Sequence, residues 1–337
     1  MPFKLSGSKI IPASFFGMPL GLIALGLAWR SAAAVWRVPP LIEDSLIWGG
    51  SLLWAFFFVT YLAKWRWHRE AAESEFKDAV QCCYVGLAGV VALLASIGVA
   101  PQVPKIAFAL FLLGTVWTLV FGVYRTGRLW MGGRKPEATT PILYLPIVAG
   151  SFVFASAATT MGHSDWGQLA FGAGLFAWIA IESVLIHRLY TVAELPPALR
   201  PSLGIQLAPS SVGAVAYLNV TGNGPDLFVH GLVGYALLQA LILVRMAPWL
   251  RAAGPTPAWW GFSFGAAALP TAALKLVARG DTGPVGMLAP WLFAAGNLVI
   301  AAVIIMTVIL LFRGRLLPAP LQAAPLIVDL PRVSAAT

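Results

Sequence analysis

Few side chains in this chain could do chemistry, and most of them lie far apart. Glu182 is the only carboxylate well inside an apolar segment. An intramembrane carboxylate marks a functional site by default. Arg188, six residues on, or a nearby histidine offers it an ordinary structural partner instead, and both readings stand. His68, His163, His187 and His230 fall in separate segments without ligand spacing. Cys82 and Cys83 are adjacent and no second cysteine pair exists, so no metal site or disulfide is expected. There is no phosphate-binding loop and no nucleophile with a plausible base. The residues therefore point away from an enzyme and imply no cofactor and no metal.

The more informative pattern is one face of the stretch Trp259 to Lys275. Gly261, Phe264, Ala268, Thr271 and Lys275 follow at spacings of three, four, three and four, which places them on one side of a helix. That side is small or polar except for the Phe264 ring. Phe262 lies roughly 200° away around the helix and shares another face with Ala266 and Leu269. A small-lined wall bearing one aromatic is what a pore with a plug requires. It is also what a close helix–helix contact requires, because small residues let backbones approach. Gly261 and Gly265 flank the ring and are expected to leave it room to move. Lys275 lies 11 residues beyond Phe264, roughly 16 Å along the axis. It either snorkels to the membrane surface or attracts anions to the mouth of a path.

These residues need elements that hold them inside a membrane. Of the 337 residues, 59% are hydrophobic and 10% charged, against about 25% charged in a soluble domain. Charge-free runs occur at 10–29, 45–63, 79–104, 106–124, 138–162, 166–181, 201–225, 227–244, 252–274 and 282–312. Most can cross a hydrocarbon core of roughly 30 Å, so the chain reads as an all-α integral membrane protein with ten transmembrane helices. Alternation at period two is absent, which argues against an outer-membrane barrel. Residues 1–315 form this domain. Residues 316–337 are rich in proline and alanine without periodicity, and a disordered cytoplasmic tail is expected.

The net charge of +9 is spread over short loops, which does not suit nucleic acid. Only Arg30, Arg37, Lys105, Lys275 and Arg279 of the 22 basic residues fall on the side opposite the N-terminus. Basic loops are retained inside, so both termini are expected in the cytoplasm and the protein in a plasma (inner) membrane.

Prolines and aromatics divide the ten segments. Pro19, Pro146, Pro209 and Pro270 lie in segments 1, 5, 7 and 9, where each is expected to kink its helix. Segment 3 has Gly86 and Gly89 instead. Among even segments only Pro290 comes close. Even segments hold more aromatics, such as Trp48, Trp54, Phe56, Phe57 and Phe58 in the second and Trp166, Phe171, Phe176 and Trp178 in the sixth. Aromatics suit a lipid-facing layer and small, kinked helices an interior one. The simplest arrangement is five helical hairpins with odd helices inside. Gly17, Pro19, Pro146 and Pro209 would then line the interior with Gly261, Ala268 and Thr271.

Seven motifs in register carry a resemblance. They are Phe16-Gly17-Met18-Pro19-Leu20-Gly21-Leu22, Tyr144-Leu145-Pro146, Phe171-Gly172-Ala173-Gly174, Ala177-Trp178-Ile179 with Glu182, Leu207-Ala208-Pro209, Pro248-Trp249 and Phe262-Ser263-Phe264-Gly265. Together, from about residue 12 to 312, they resemble the TehA-type tellurite-resistance and dicarboxylate transporter family, which includes the slow anion channels of plant guard cells. The resemblance implies ten helices around a central pore, a homotrimer in the lipid bilayer, and passive conduction of small inorganic or organic anions. It also implies that Phe264 is the pore gate. A carrier for C4-dicarboxylates such as malate, or for a tellurite-related oxyanion, possibly proton-coupled, is the alternative. Lys275 lies outside the family pattern, and the long tails through which the plant channels are regulated have no counterpart here.

Overall fold

The computed structural model describes residues 10–222 and 224–317. The expected tail, from residue 318 onward, lies outside the described residues. Ten apolar helices are long enough to cross a membrane: helix 1 (Ala13–Ala33), helix 2 (Pro40–Trp67), helix 3 (Cys82–Val99), helix 4 (Pro104–Trp130), helix 5 (Pro141–Thr160), helix 6 (Ser164–Thr191), helix 7 (Pro197–Thr221), helix 8 (Leu227–Arg251), helix 9 (Pro257–Ala278) and helix 10 (Pro284–Phe312). No strand occurs among the described residues.

The odd helices form a closed inner ring. Helix 1 packs on helices 3 and 9, helix 9 on helix 7, helix 7 on helix 5, and helix 5 on helix 3. Their apolar stretches are 72–89% buried, against 17–33% for the even helices. The inner helices are small-residue helices for a steric reason. A Cβ on Gly265 of helix 9 would stand 2.7 Å from Leu207 Cβ and 2.9 Å from the Ala208 amide of helix 7, so only glycine permits that approach. The outer layer is less uniformly lipid-facing than the composition implies. Phe56 and Phe176 face outward, whereas Trp54 and Phe57 of helix 2 are buried, and Trp54 Nε1 donates to the Ala88 carbonyl at 2.9 Å.

The prolines act differently from the expected mid-helix kinks. Pro19 and Pro209 lie in the first turn of their α-helical parts, Gly17–Ala33 and Ala208–Thr221, where a missing N–H costs nothing. Pro146 sits in a wide π-type turn, Leu145–Ala149. Pro270 alone of the four is inside regular α-helix. Helices 1, 5, 7 and 9 open with 3₁₀ or π segments at the end nearer the N-terminus. Helix 8 runs to Arg251 and contains Pro248, so interior prolines are not confined to odd helices and Pro290. Helical structure extends into the charged connections: Arg69–Lys77 is a short helix, and helix 6 continues to Thr191.

Helix 9 is closed by Gly280, whose positive φ of 93° suits a residue without Cβ. Asp281 N–H then donates back to the Leu276 carbonyl at 3.0 Å. Cys82 and Cys83 are free and buried.

Candidate transport path

The inner ring encloses two cavities, end to end. The larger, about 1030 Å³, lies on the side of the N-terminus. Gly17, Tyr144, Phe152, Pro209, Gly261 and Phe264 are among its walls. The smaller, about 450 Å³, opens toward the far ends of helices 1, 5 and 9 and is lined by Ala268, Thr271, Lys275, Arg30 and Arg279 among others. Phe264 and Val212 border both.

Helix 9 positions its phenylalanines by a change of helix type. Pro257–Phe262 is a 3₁₀ segment and regular α-helix begins at Ser263. Trp260 Nε1 donates to Thr307 Oγ1 at 2.9 Å and anchors this segment to helix 10. Ser263 Oγ donates to the Trp260 carbonyl at 2.7 Å and closes the turn. The Phe264 ring is 6% exposed. Phe262 borders neither cavity. Its ring covers Gly204 of helix 7, where a Cβ has no room, and stacks on Trp259 with centroids 5.3 Å apart.

Gly261, Phe264, Ala268, Thr271 and Lys275 all border one cavity or the other. Gly17 and Pro209 border the larger. Pro19 and Pro146 are buried in their helices and are not on either wall, because each proline ring sits against protein while its neighbours, Leu20 and Leu145, reach the cavity. Gly265 does not leave free room beside the Phe264 ring; helix 7 fills that space. Thr271 Oγ1 donates to the Ala267 carbonyl at 2.7 Å, so its proton is committed to its own helix.

The two mouths differ in charge. The rim of the larger cavity carries Lys64, Glu70, Glu75, Asp78 and Arg315. Lys64 Nζ and Glu75 Oε2 form a buried pair at 2.6 Å, and Glu75 Oε1 accepts the Ala13 amide at 2.7 Å, which ties helix 1 to the short helix. The smaller cavity has Arg30, Lys275 and Arg279 and no carboxylate in its lining. Arg30 is paired with Glu43 just behind that wall, at 2.5 Å. Lys275 is half-buried and turned to this cavity, so its position is a wall position and not a purely snorkelled one.

Glu182 lies away from both cavities, and neither Arg188 nor a histidine partners it. Two tyrosine hydroxyls, two glutamine amides and a tryptophan N–H bond it instead. Sequence reasoning had no means to gather these donors, which come from four helices. It also passed over Val212, whose apolar side chain carries no signal of its own, and Arg30 and Arg279, which read as ordinary loop charges.

A closed ring of small-residue helices around two cavities that meet at Phe264 and Val212, in a chain with ten membrane-length helices, defines a polytopic membrane transport protein. The sequence profile of the SLAC1 voltage-dependent anion channel family matches residues 11–308, and the chain belongs to that family. Among its relatives is the tellurite resistance protein TehA homolog of Haemophilus influenzae, 33% identical over 306 residues, covering 90% of this chain and 92% of that protein. The S-type anion channel SLAH2 of Arabidopsis thaliana is 24% identical, with 90% of this chain matched to 60% of that longer protein. The uncharacterized transporter MJ0576 of Methanocaldococcus jannaschii is 23% identical over 67% of this chain and 72% of its own length. Membership makes this a multi-pass membrane protein of anion transport, acting on small anions.

Proposed function

We propose that the chain is a passive anion channel whose closed gate is the Phe264 ring. One observation carries the reading: the two cavities meet at Phe264. A buried ring between the two cavities offers no hydrogen-bond donor to a dehydrating anion, and it excludes water as well as filling volume. Channel action follows from how little the walls bind. Among the described residues no ring of cations surrounds Phe264, and weak sites permit release. Lys275 and its basic neighbours raise anion concentration in the smaller cavity. Three subunits, each with its own path, assemble as a homotrimer in a bacterial inner membrane, with both termini cytoplasmic. The larger cavity then faces the cytoplasm and the smaller the periplasm.

Liposome flux tests this reading. Wild-type protein should leave a chloride or nitrate gradient nearly intact, and Phe264→Ala should collapse it. A wild-type rate that saturates with malate and is competed by other dicarboxylates would favour the carrier and overturn the channel.

A further inference from the structure

Most donors in the wall of the smaller cavity are already committed. Ser31 Oγ donates to the Leu27 carbonyl at 3.0 Å, Thr160 Oγ1 to the Ser156 carbonyl at 2.9 Å and Thr271 Oγ1 to the Ala267 carbonyl at 2.7 Å. A hydroxyl whose proton serves its own helix offers the cavity only lone pairs, which repel an anion. Arg30 is held by Glu43 at 2.5 Å and by the Ile97 and Gly98 carbonyls at 3.0 and 2.6 Å. Arg279 donates to the Leu218 carbonyl.

The side chains of Ser156, Asn219 and Lys275 differ: they line this cavity and bond no protein group among the described residues. Ser156 is 5% exposed, and because it borders the cavity, what remains open of it is open there. A buried hydroxyl without a partner costs free energy. The three groups come from helices 5, 7 and 9 of the inner ring.

Their order of depth follows from helical rise. Val212 and Phe264 mark the constriction. Asn219 lies roughly 10 Å beyond Val212 along the axis, and Lys275 roughly 16 Å beyond Phe264. On helix 5, Phe152 borders the larger cavity and Val153 the smaller, so Ser156 stands about one turn past the constriction, roughly 5 Å. An anion entering from the mouth meets an ammonium, then a side-chain amide, then a hydroxyl, and last the apolar ring. The ammonium attracts at long range. The neutral donors act only at contact, where they can stand in for water, and they bind more weakly than charged ones.

We propose that Ser156 and Asn219 are the specificity-determining donors of the path. They replace part of the hydration shell of a small, strongly hydrated anion such as chloride before it reaches Phe264. Without them the cost of dehydration stands alone, and that cost favours a weakly hydrated anion such as thiocyanate. Their effect on flux rests on the channel reading; the donor site itself does not.

Reversal potentials in mixed chloride and thiocyanate, in the Phe264→Ala background, provide the test. Ser156→Ala and Asn219→Ala should each lower the chloride-to-thiocyanate permeability ratio by about fivefold, the worth of one net hydrogen bond. Asn219→Gln, which keeps an amide, should restore part of it. Lys275→Gln should lower both currents at low salt and leave the ratio unchanged. A ratio unmoved by both alanine variants, or moved as far by Lys275→Gln, would overturn the proposal. Should Asn219→Ala fail to fold, Ser156→Ala carries the test alone. If Phe264→Ala passes no current, the channel reading fails, and chloride magnetic-resonance line broadening by the otherwise wild-type protein in detergent decides the donor site. Broadening should fall in the Ser156→Ala, Asn219→Ala double variant, and equal broadening would overturn the site.

Discussion

Phe264 on helix 9 and Val212 on helix 7 are, among the described residues, the two that border both cavities. The barrier between the two spaces is therefore about one side chain thick, and its width depends on this pair. Val212→Ala alone should stay closed, because the ring remains. In the Phe264→Ala background, Val212→Phe should restore block by returning an aromatic to the constriction. Single-channel conductance of the two double variants, with Ala and with Phe at 212, measures this. Equal conductance in both would place the constriction elsewhere.

Lys275 is expected to act at a distance. Lys275→Gln should lower anion conductance of the open Phe264→Ala protein at low salt. The loss should fade at high salt, where the screening length falls from about 30 Å at 0.01 M to about 3 Å at 1 M. Conductance curves taken against salt concentration, with and without the substitution, decide it. A loss that persists unchanged at high salt would indicate direct binding instead.

The Lys64–Glu75 pair is both buried and bridging, with 6% and 9% of the two side chains exposed. Glu75→Ala leaves a buried ammonium without its partner, which costs about 3–5 kcal/mol. It also removes the acceptor of the Ala13 amide. Thermal unfolding in detergent should show a lower midpoint for Glu75→Ala, with a smaller drop for the double variant that also replaces Lys64 by Met. A single variant as stable as wild type would remove the pair from the stability of this mouth.

Asp226 caps helix 8, accepting the Val229 amide at 2.9 Å. The Tyr217 hydroxyl, and then that amide, hold its carboxyl below the ordinary value of 3.8. A depressed value means that the stabilising contribution is present above 3.8 and drains away as pH falls through the folded value. Asp226→Ala should cost about 1 kcal/mol at neutral pH, and the gap to wild type should close in the acid range. A gap that widens on acidification would show the sign to be wrong.

Much of this architecture is legible in the chain because a membrane simplifies the rules. Backbone polar groups must be satisfied within helices, so ten apolar runs become ten helices. The inner and outer layers follow from where glycines and aromatics fall. The face of helix 9 is legible because Gly261, Phe264, Ala268, Thr271 and Lys275 are local to one helix. What depends on distant segments is not. The donors of Glu182 sit 4 to 57 positions away in the chain, and the glycine that packs Phe262 belongs to helix 7. The prolines were legible as residues but not as geometry, since a proline in a first turn and one in mid-helix look alike in a sequence.

Two neighbours on helix 9 distinguish the proposed gate from a packing residue. Phe264 stands between the cavities, whereas Phe262 covers Gly204 and stacks on Trp259. Phe262→Ala should cost packing, roughly 3 kcal/mol for a half-buried ring, and leave the pore closed. The direct measurement is anion current from purified protein in planar bilayers, for wild type, Phe264→Ala, Phe264→Leu and Phe262→Ala. Large currents from Phe264→Ala, intermediate ones from Phe264→Leu and none above wild type from Phe262→Ala are predicted. Current from Phe262→Ala with Phe264→Ala still closed would contradict the gate.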